Sequence, residues 1–300
     1  MTILSISTPI EHVRTGFLLV DPSNLDDEMF SDAVPMLDCT PASMGQSAHL
    51  MPRLIDVAAL STKEQDGLQE ILMRELQGER PPTVCAWLEC ATDAKVLARH
   101  VARFLIGPGP DGGPVYWRYF DPCVFVLVLQ VFSNEQRQAL LGPITEWRFA
   151  WCCRWWRVIG SEVTADPLLG RVPGWPTARQ WRSLESTDSI ARALPQALDC
   201  LGGARSTDDV CLELLAKIDA SILDARTRLH LSDSDDLVEY ALQYARYGDR
   251  FQQHPKLSAA WGELAEGRIS WSELVSMLNP DDYQALDREA STLSIVIGDE

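Results

Sequence analysis

Eight cysteines and five histidines are the residues of this chain whose types allow nucleophilic or metal chemistry. A cysteine becomes a nucleophile when an imidazole beside it takes the thiol proton, so the relative placing of the two types decides the matter. The histidines stand at 12, 49, 100, 230 and 254, and none sits in a recognisable catalytic setting. The cysteines stand at 39, 85, 90, 123, 152, 153, 200 and 211. They include no C-x-x-C pair, and the step from Cys85 to Cys90 is wider than a zinc knuckle uses. Nucleophile elbows, metalloprotease helices, Walker loops and paired-carboxylate motifs are all missing from the sequence. The residue pattern therefore predicts no catalytic residues, no metal site and no cofactor. A thiol-dependent hydrolase or transferase built on a Cys–His pair is the competing reading. It would lose activity on substitution of one of the five histidines.

Gly107-Pro-Gly-Pro-Asp-Gly112 matches G-x-G-x-x-G in letters only. A dinucleotide loop follows a strand, opens a helix and offers main-chain N–H groups to pyrophosphate. This one follows a helical pattern and precedes a strand, and its two prolines have no N–H. It is expected to be a connector.

The polar residues most worth singling out are Arg118 and Asp121, in Val115-Tyr-Trp-Arg-Tyr-Phe-Asp-Pro122. Val115–Phe120 is aromatic and β-branched, a strand composition. Asp121-Pro122 reads as a helix start, with Asp121 as N-cap and Pro122 where its missing N–H costs nothing. One role for Arg118 and Asp121 is a local ion pair that holds this corner. The other is contact with a partner's carboxylate or main chain. Val124–Phe132 has the composition of a strand, yet the Asp-Pro start makes it a helix that is apolar all round. Ser133 with Gln136 is a capping box for a second helix, Gly142 closes it in a left-handed conformation, and Pro143 stops it.

These residues must be positioned by the rest of the chain. Phe17–Val20, Leu54–Val57 and Thr83–Glu89 read as strands, and residues 21–49 as a surface excursion without period. Ser61 with Glu64 caps a helix whose Leu68, Ile71, Leu72 and Leu76 face inward, ended by Gly78. Val96, Leu97, Val101, Phe104 and Leu105 mark a second helix. Strands alternating with helices predict an α/β lobe over residues 1–160, a mixed sheet with flanking helices. Trp147–Val158 is read as one strand whose face carries Trp147, Phe149, Trp151, Cys153 and Trp155. Of the ten tryptophans, six lie between 147 and 181, a density that means buried area, either between lobes or toward a partner. Trp147, Trp151 and Trp155 are the candidate partner contacts of that run. Residues 161–176 are a candidate linker, and 177–290 are expected to form an all-helical lobe. Within it, helices are expected from Thr207, over Ser234–Tyr247, after Pro255, and from Ser270 to a stop at Asn279-Pro280. A loose tail is expected over 291–300.

The formal charge is −17. Residues 1–160 carry 13 basic against 19 acidic groups, and residues 161–300 carry 13 against 24. Such a field repels phosphate backbones and anionic membrane surfaces, so nucleic acid is not an expected partner. The longest apolar run, Cys123–Leu129, is far too short to cross a bilayer, and no membrane insertion is expected. Met1–Ser7 lacks a basic leader region, so the chain is expected in the cytoplasm with its thiols reduced.

Arg118-Tyr119-Phe120-Asp121-Pro122, followed by Leu141-Gly142-Pro143-Ile144, resembles the signature of the bacterial type VI secretion effector adaptors, the chaperones of the Tap/TEC type. The resemblance runs from about Phe17 to about Ile144. Members of that family commonly have a second arginine directly after Asp-Pro, where this chain has Cys123. The resemblance implies that Tyr119, Phe120, Pro122, Gly142 and Pro143 are architectural. It further implies a non-catalytic adaptor that binds an effector toxin, through the effector's N-terminal region, and helps load it onto the VgrG spike. An immunity or structural protein is a weaker reading. It predicts neutralisation of a neighbouring toxin in a cell without the secretion apparatus.

Overall fold

The protein is described by a computed structural model covering residues 3–6, 14–25, 34–78, 80–160, 174–200 and 208–296. The chain divides into two compact units, Met1–Leu184 and Glu185–Glu300.

In the first unit the strands are β1 (Ile3–Ile6), β2 (Phe17–Val20), β3 (Met36–Asp38), β4 (Arg53–Asp56), β5 (Val84–Cys90), β6 (Ile106–Pro108), β7 (Pro114–Tyr116), β8 (Ile144–Trp151) and β9 (Arg154–Ile159). The helices are α1 (Thr62–Gln77), α2 (Ala94–Arg103), α3 (Pro122–Val131), α4 (Asn134–Leu141) and α5 (Ala178–Leu184). Among the described residues, seven strands form one sheet in the order β1-β9-β8-β5-β2-β4-β3, and β6 and β7 form a separate hairpin. The α/β lobe is as expected, but its sheet is not mixed: every pairing is antiparallel. The helices do not act as crossovers between parallel neighbours, which a mixed sheet would need.

Caps set the helix boundaries as local chemistry dictates. Ser61 and Glu64 form a reciprocal capping box on α1, and Gly78 closes that helix at φ +66°, ψ +16°. Asp93 caps α2 by accepting from the N–H groups of Lys95 and Val96. Asp121 caps α3 and Pro122 occupies its first turn. Ser133 and Gln136 form the box on α4. α3 is indeed helical despite its β-branched content, with Phe125 to Leu129 all buried. It is a central layer element, and Phe125 stacks on Trp147 of β8 at 4.3 Å between ring centres.

Four local expectations are corrected. The strand read over Val115–Phe120 ends at Tyr116, because β7 pairs only with β6 and the chain then turns, with Asp121 N–H donating to the Arg118 carbonyl (2.9 Å). The single strand read over Trp147–Val158 is a hairpin, β8 and β9, with Trp151 opposite Arg154. Its turn residues Cys152 and Cys153 both have positive φ (49° and 57°), the pattern of a two-residue type I′ turn that favours Asn-Gly. Residues 21–49 are not all excursion, since Met36–Asp38 form β3 at the sheet edge. The Gly107–Pro114 connector is the β6–β7 hairpin, and its main-chain groups bond to each other: Gly109 N–H donates to the Gly113 carbonyl (2.7 Å) and Gly112 N–H to that of Gly109 (3.0 Å).

α5 counts with the first unit. Gln136 and Gln180 exchange amide hydrogen bonds (3.0 and 2.9 Å), while the Gln136 amide also donates to the Trp175 carbonyl and the Gln180 amide to that of Val131. Trp181 donates to the Pro108 carbonyl (3.0 Å) and meets Trp117 edge-on at 5.6 Å. Most of the stretch read as a linker, residues 161–173, lies outside the described residues.

The second unit contains α6 (Thr187–Cys200), α7 (Asp208–Arg228), α8 (Ser234–Tyr247), α9 (Asp249–Gln253), α10 (Pro255–Ser258), α11 (Trp261–Ala265), α12 (Trp271–Val275) and α13 (Pro280–Val296). Its core centres on Trp271, Tyr240 and Phe251, all essentially inaccessible. Tyr240 donates to the Asp224 carboxylate (2.7 Å), which Arg228 also grips through two nitrogens. The Thr207 cap expected for α7 falls outside the described residues. Asn279-Pro280 does not only stop a helix; it starts α13, with the Asn279 side chain accepting from the N–H groups of Asp281 and Asp282 (both 3.0 Å). The backbone of α13 continues to Val296, into the stretch read as a loose tail.

Candidate functional site

Arg118 sits where β7 hands over to α3, and the tight turn fixes its side chain beside two carboxylates. It pairs with Asp21 at the end of β2, and lies 3.7 Å from Asp121 Oδ2. Asp21 is fully buried and also accepts from the Ser23 N–H (2.9 Å) and the Asn24 amide (3.1 Å). Asp121 accepts from the Cys123 N–H (2.9 Å) while its own carbonyl takes the Phe125 N–H (2.7 Å). The guanidinium also lies over the Phe120 ring, 5.5 Å from its centre. One arginine thus ties a strand end, a helix cap and an aromatic into one corner. Its side chain is 38 % exposed, so the outer part of the guanidinium reaches the surface.

Burial sets the electrostatics around this corner. It pushes the Asp121 carboxyl above its usual range, against the lowering effect of the Cys123 N–H and of Arg118. For Arg118 itself burial acts downward, but the carboxylates of Asp21 and Asp121 outweigh it and the net shift is upward. Tyr116 is pushed up to about 12, chiefly by burial.

The neighbouring motif residues are core. Tyr119 and Phe120 are fully buried, and the Tyr119 hydroxyl donates to the Val101 carbonyl (3.2 Å). Gly142 has φ +51° and ψ −114°, a positive φ as expected but outside the left-handed helical well. A β-carbon there would lie 2.2 Å from Cε1 of His100. His100 in turn has Nε2 2.8 Å from the Leu140 carbonyl, and burial lowers its pKa.

Trp147 and Trp155 are buried at 0 % and 2 % exposure, and Trp151 at 7 %. Trp147 and Trp151 share one face of the sheet with Phe149 and Trp156, whereas Trp155, opposite Ala150, is on the other face in the cluster of Leu18, Ile55, Leu68 and Trp87, so the three do not share the single face that one strand would give them. Trp155 apart, the tryptophans of this region form two clusters, the second of them joined by Trp117. One packs under the β8–β9 hairpin, where Trp151 and Trp156 meet edge-on at 5.4 Å. The other gathers Trp117, Trp175 and Trp181 around α5.

The thiols of Cys39, Cys85 and Cys123 are all pushed upward by burial, the last to about 12, which disfavours the thiolate a nucleophile needs. Among the described residues, no group of three or more His, Cys, Asp or Glu side chains is placed to hold a metal ion. No helix among them is long and apolar enough to cross a membrane.

Arg118 and Asp121 are therefore brought together, and Trp147, Trp151 and Trp155 lie away from them in the core. The residue that sequence reasoning missed is Asp21. Its signal was an aspartate directly after a buried strand, which reads only as a strand stop.

Residues 40–139 match the model of a family described as a domain of unknown function (DUF4123). The match contains the Arg118–Pro122 corner and ends just before Leu141–Ile144. No curated protein and no solved structure matches the chain.

Proposed function

We propose that this protein is a non-catalytic adaptor that binds a type VI secretion effector and helps load it onto the VgrG spike. The observation that carries the reading is a coincidence of position. The Arg-Tyr-Phe-Asp-Pro motif that resembles the adaptor signature lies inside the matched stretch of residues 40–139. The chemistry of the corner agrees with an architectural role. Its charged groups are spent on each other, its aromatics are core, and its nearest thiols are held protonated. Such a protein acts by holding another one, in the cytoplasm, with no cofactor and no turnover.

Co-expression with the toxin whose gene lies beside a spike gene, followed by affinity purification on the toxin's N-terminal region, tests the reading. The adaptor should come through as a stoichiometric complex that survives moderate salt, since apolar burial is screened little. Failure to form a complex with any neighbouring toxin would sink the proposal.

A further inference from the structure

Among the described residues the sheet ends at β3, a strand absent from the sequence reading, and the geometry there is that of an open template. The Cys39 N–H donates to the Pro52 carbonyl (2.9 Å), and Leu37 lies opposite Leu54, Met36 opposite Ile55 and Asp38 opposite Arg53. Antiparallel pairing alternates, so Cys39 and Leu37 are the residues bonded toward β4. The N–H and C=O groups of Met36 and Asp38 then point outward, two residues apart, where the sheet has no further strand among the described residues.

Beside this edge runs α2, and a groove of about 440 Å³ lies between them, lined by Leu37, Asp38, Thr40, Lys95, Arg99 and the small side chains of α2. Its floor is apolar through Leu37, Ala98 and Ala102. The hydroxyl oxygen of Thr40 is buried with no hydrogen-bond partner, an omission that costs stability unless something else fills it. Its flank is basic. Lys95 and Arg99 are four apart and exposed, with Arg103 four further on, so the three form one ridge. None of the three has an acidic partner among the described residues, although the chain as a whole carries −17. The one acid in the groove, Asp38, already faces Arg53 at 3.3 Å.

We propose that this groove takes an extended acidic segment of a partner protein, added to the sheet beside β3 with its carboxylates along Lys95, Arg99 and Arg103. This rests on the reading of the protein as one that holds another. Outward N–H and C=O groups at two-residue spacing match a peptide main chain and no other polymer. These cations, which have no acidic partner among the described residues, select carboxylates from that class, and the alanine floor accepts the alternate side chains that face away from water. Nucleic acid would meet the same cations but has no main-chain N–H and C=O groups to pair with the β3 edge.

The probe is a fluorescein-labelled octapeptide alternating glutamate with valine, titrated into the full chain and read by anisotropy. Two control peptides replace every glutamate by lysine, or two central residues by proline. The acidic peptide should bind at least tenfold more tightly than either control. The double variant Lys95→Glu, Arg99→Glu should lose at least tenfold in affinity while keeping the wild-type circular dichroism and melting midpoint. Equal binding of the proline peptide would mean ionic attraction without strand pairing, and would overturn the proposal. So would an affinity indifferent to the charge reversal. A wild-type dimer in sedimentation that the double variant dissociates would assign the groove to a second copy and also overturn it. Loss of toxin co-purification with peptide binding intact would instead strike at the adaptor reading alone.

Discussion

Arg118 reaches across 97 positions of sequence to pair with the buried carboxylate of Asp21, and so joins the end of β2 to the turn that launches α3. The pair is asymmetric. Asp21 is inaccessible while Arg118 keeps a wet edge, so removing the arginine strands a charge that water cannot reach. Arg118→Ala should cost about 3 kcal/mol, the low end for a broken buried pair because Asp21 keeps its two other donors. Arg118→Lys should recover only part, since an ammonium lacks the planar group that lies over the Phe120 ring. Urea unfolding midpoints measure both. A wild-type midpoint for Arg118→Ala would mean that the corner is held by something else.

Gly142→Ala should be as severe for a different reason. The backbone there has a positive φ that a side chain resists, and the new methyl would meet the His100 ring at 2.2 Å. The expected cost is about 2–4 kcal/mol, from strain and overpacking together. His100→Ala in the same molecule should relieve the contact but not the strain. The two substitutions should therefore be non-additive by about 1 kcal/mol in thermal melts, and simple additivity would contradict the packing.

His100 also predicts a pH dependence. Burial lowers its folded pKa below the ordinary 6.5, so below pH 6.5 the unfolded chain binds a proton that the folded chain refuses. Stability should fall as pH drops from about 6.5 toward the lowered folded value, at up to ~1.4 kcal/mol per unit. Asp121 and Glu75 have raised pKa values, through burial first, and act in the opposite direction: their protonation favours the folded state as pH falls. The contribution of the histidine is therefore read as the difference between wild type and His100→Asn. Parallel stability curves between pH 7 and 5 would refute it.

Cys152-Cys153 is the hairpin turn where substitution should help. Both residues carry positive φ, a conformation that costs a residue with a β-carbon about 1 kcal/mol. Cys152→Asn with Cys153→Gly should raise the melting midpoint by several degrees, for about 1–2 kcal/mol gained. An unchanged or lower midpoint would show that the thiols contribute more than their backbone strain removes.

What could be read from the sequence was what is local. Ser61 with Glu64, Asp121-Pro122 and Ser133 with Gln136 name their helix starts because a cap is chemistry between residues two or three apart. The β8–β9 hairpin was hidden because its turn lacks the Asn or Gly that announces one, and because tryptophans on both arms continue a single alternation. β3 was hidden by being three residues long, and its helix-flanked groove with it. α13 is hidden although Asn279-Pro280 followed by two aspartates is a helix start, because a proline after an asparagine equally reads as the stop of the helix before it. At the corner, Arg118 and Asp121 are three apart and visible as a pair. Asp21 belongs to another strand, and only the strand order brings it there.

The antiparallel order of the sheet has an implication for inheritance. Residues 40–139 contain β4 and β5, yet these two never touch each other; β2 lies between them, and the other neighbour of β5 is β8. A gene segment cut at those borders would keep the β6–β7 hairpin but leave β4 and β5 with no common ladder. A transplanted piece must reach back to Phe17 to restore a continuous ladder, since β5, β2, β4 and β3, all within Phe17–Cys90, stand side by side in the sheet.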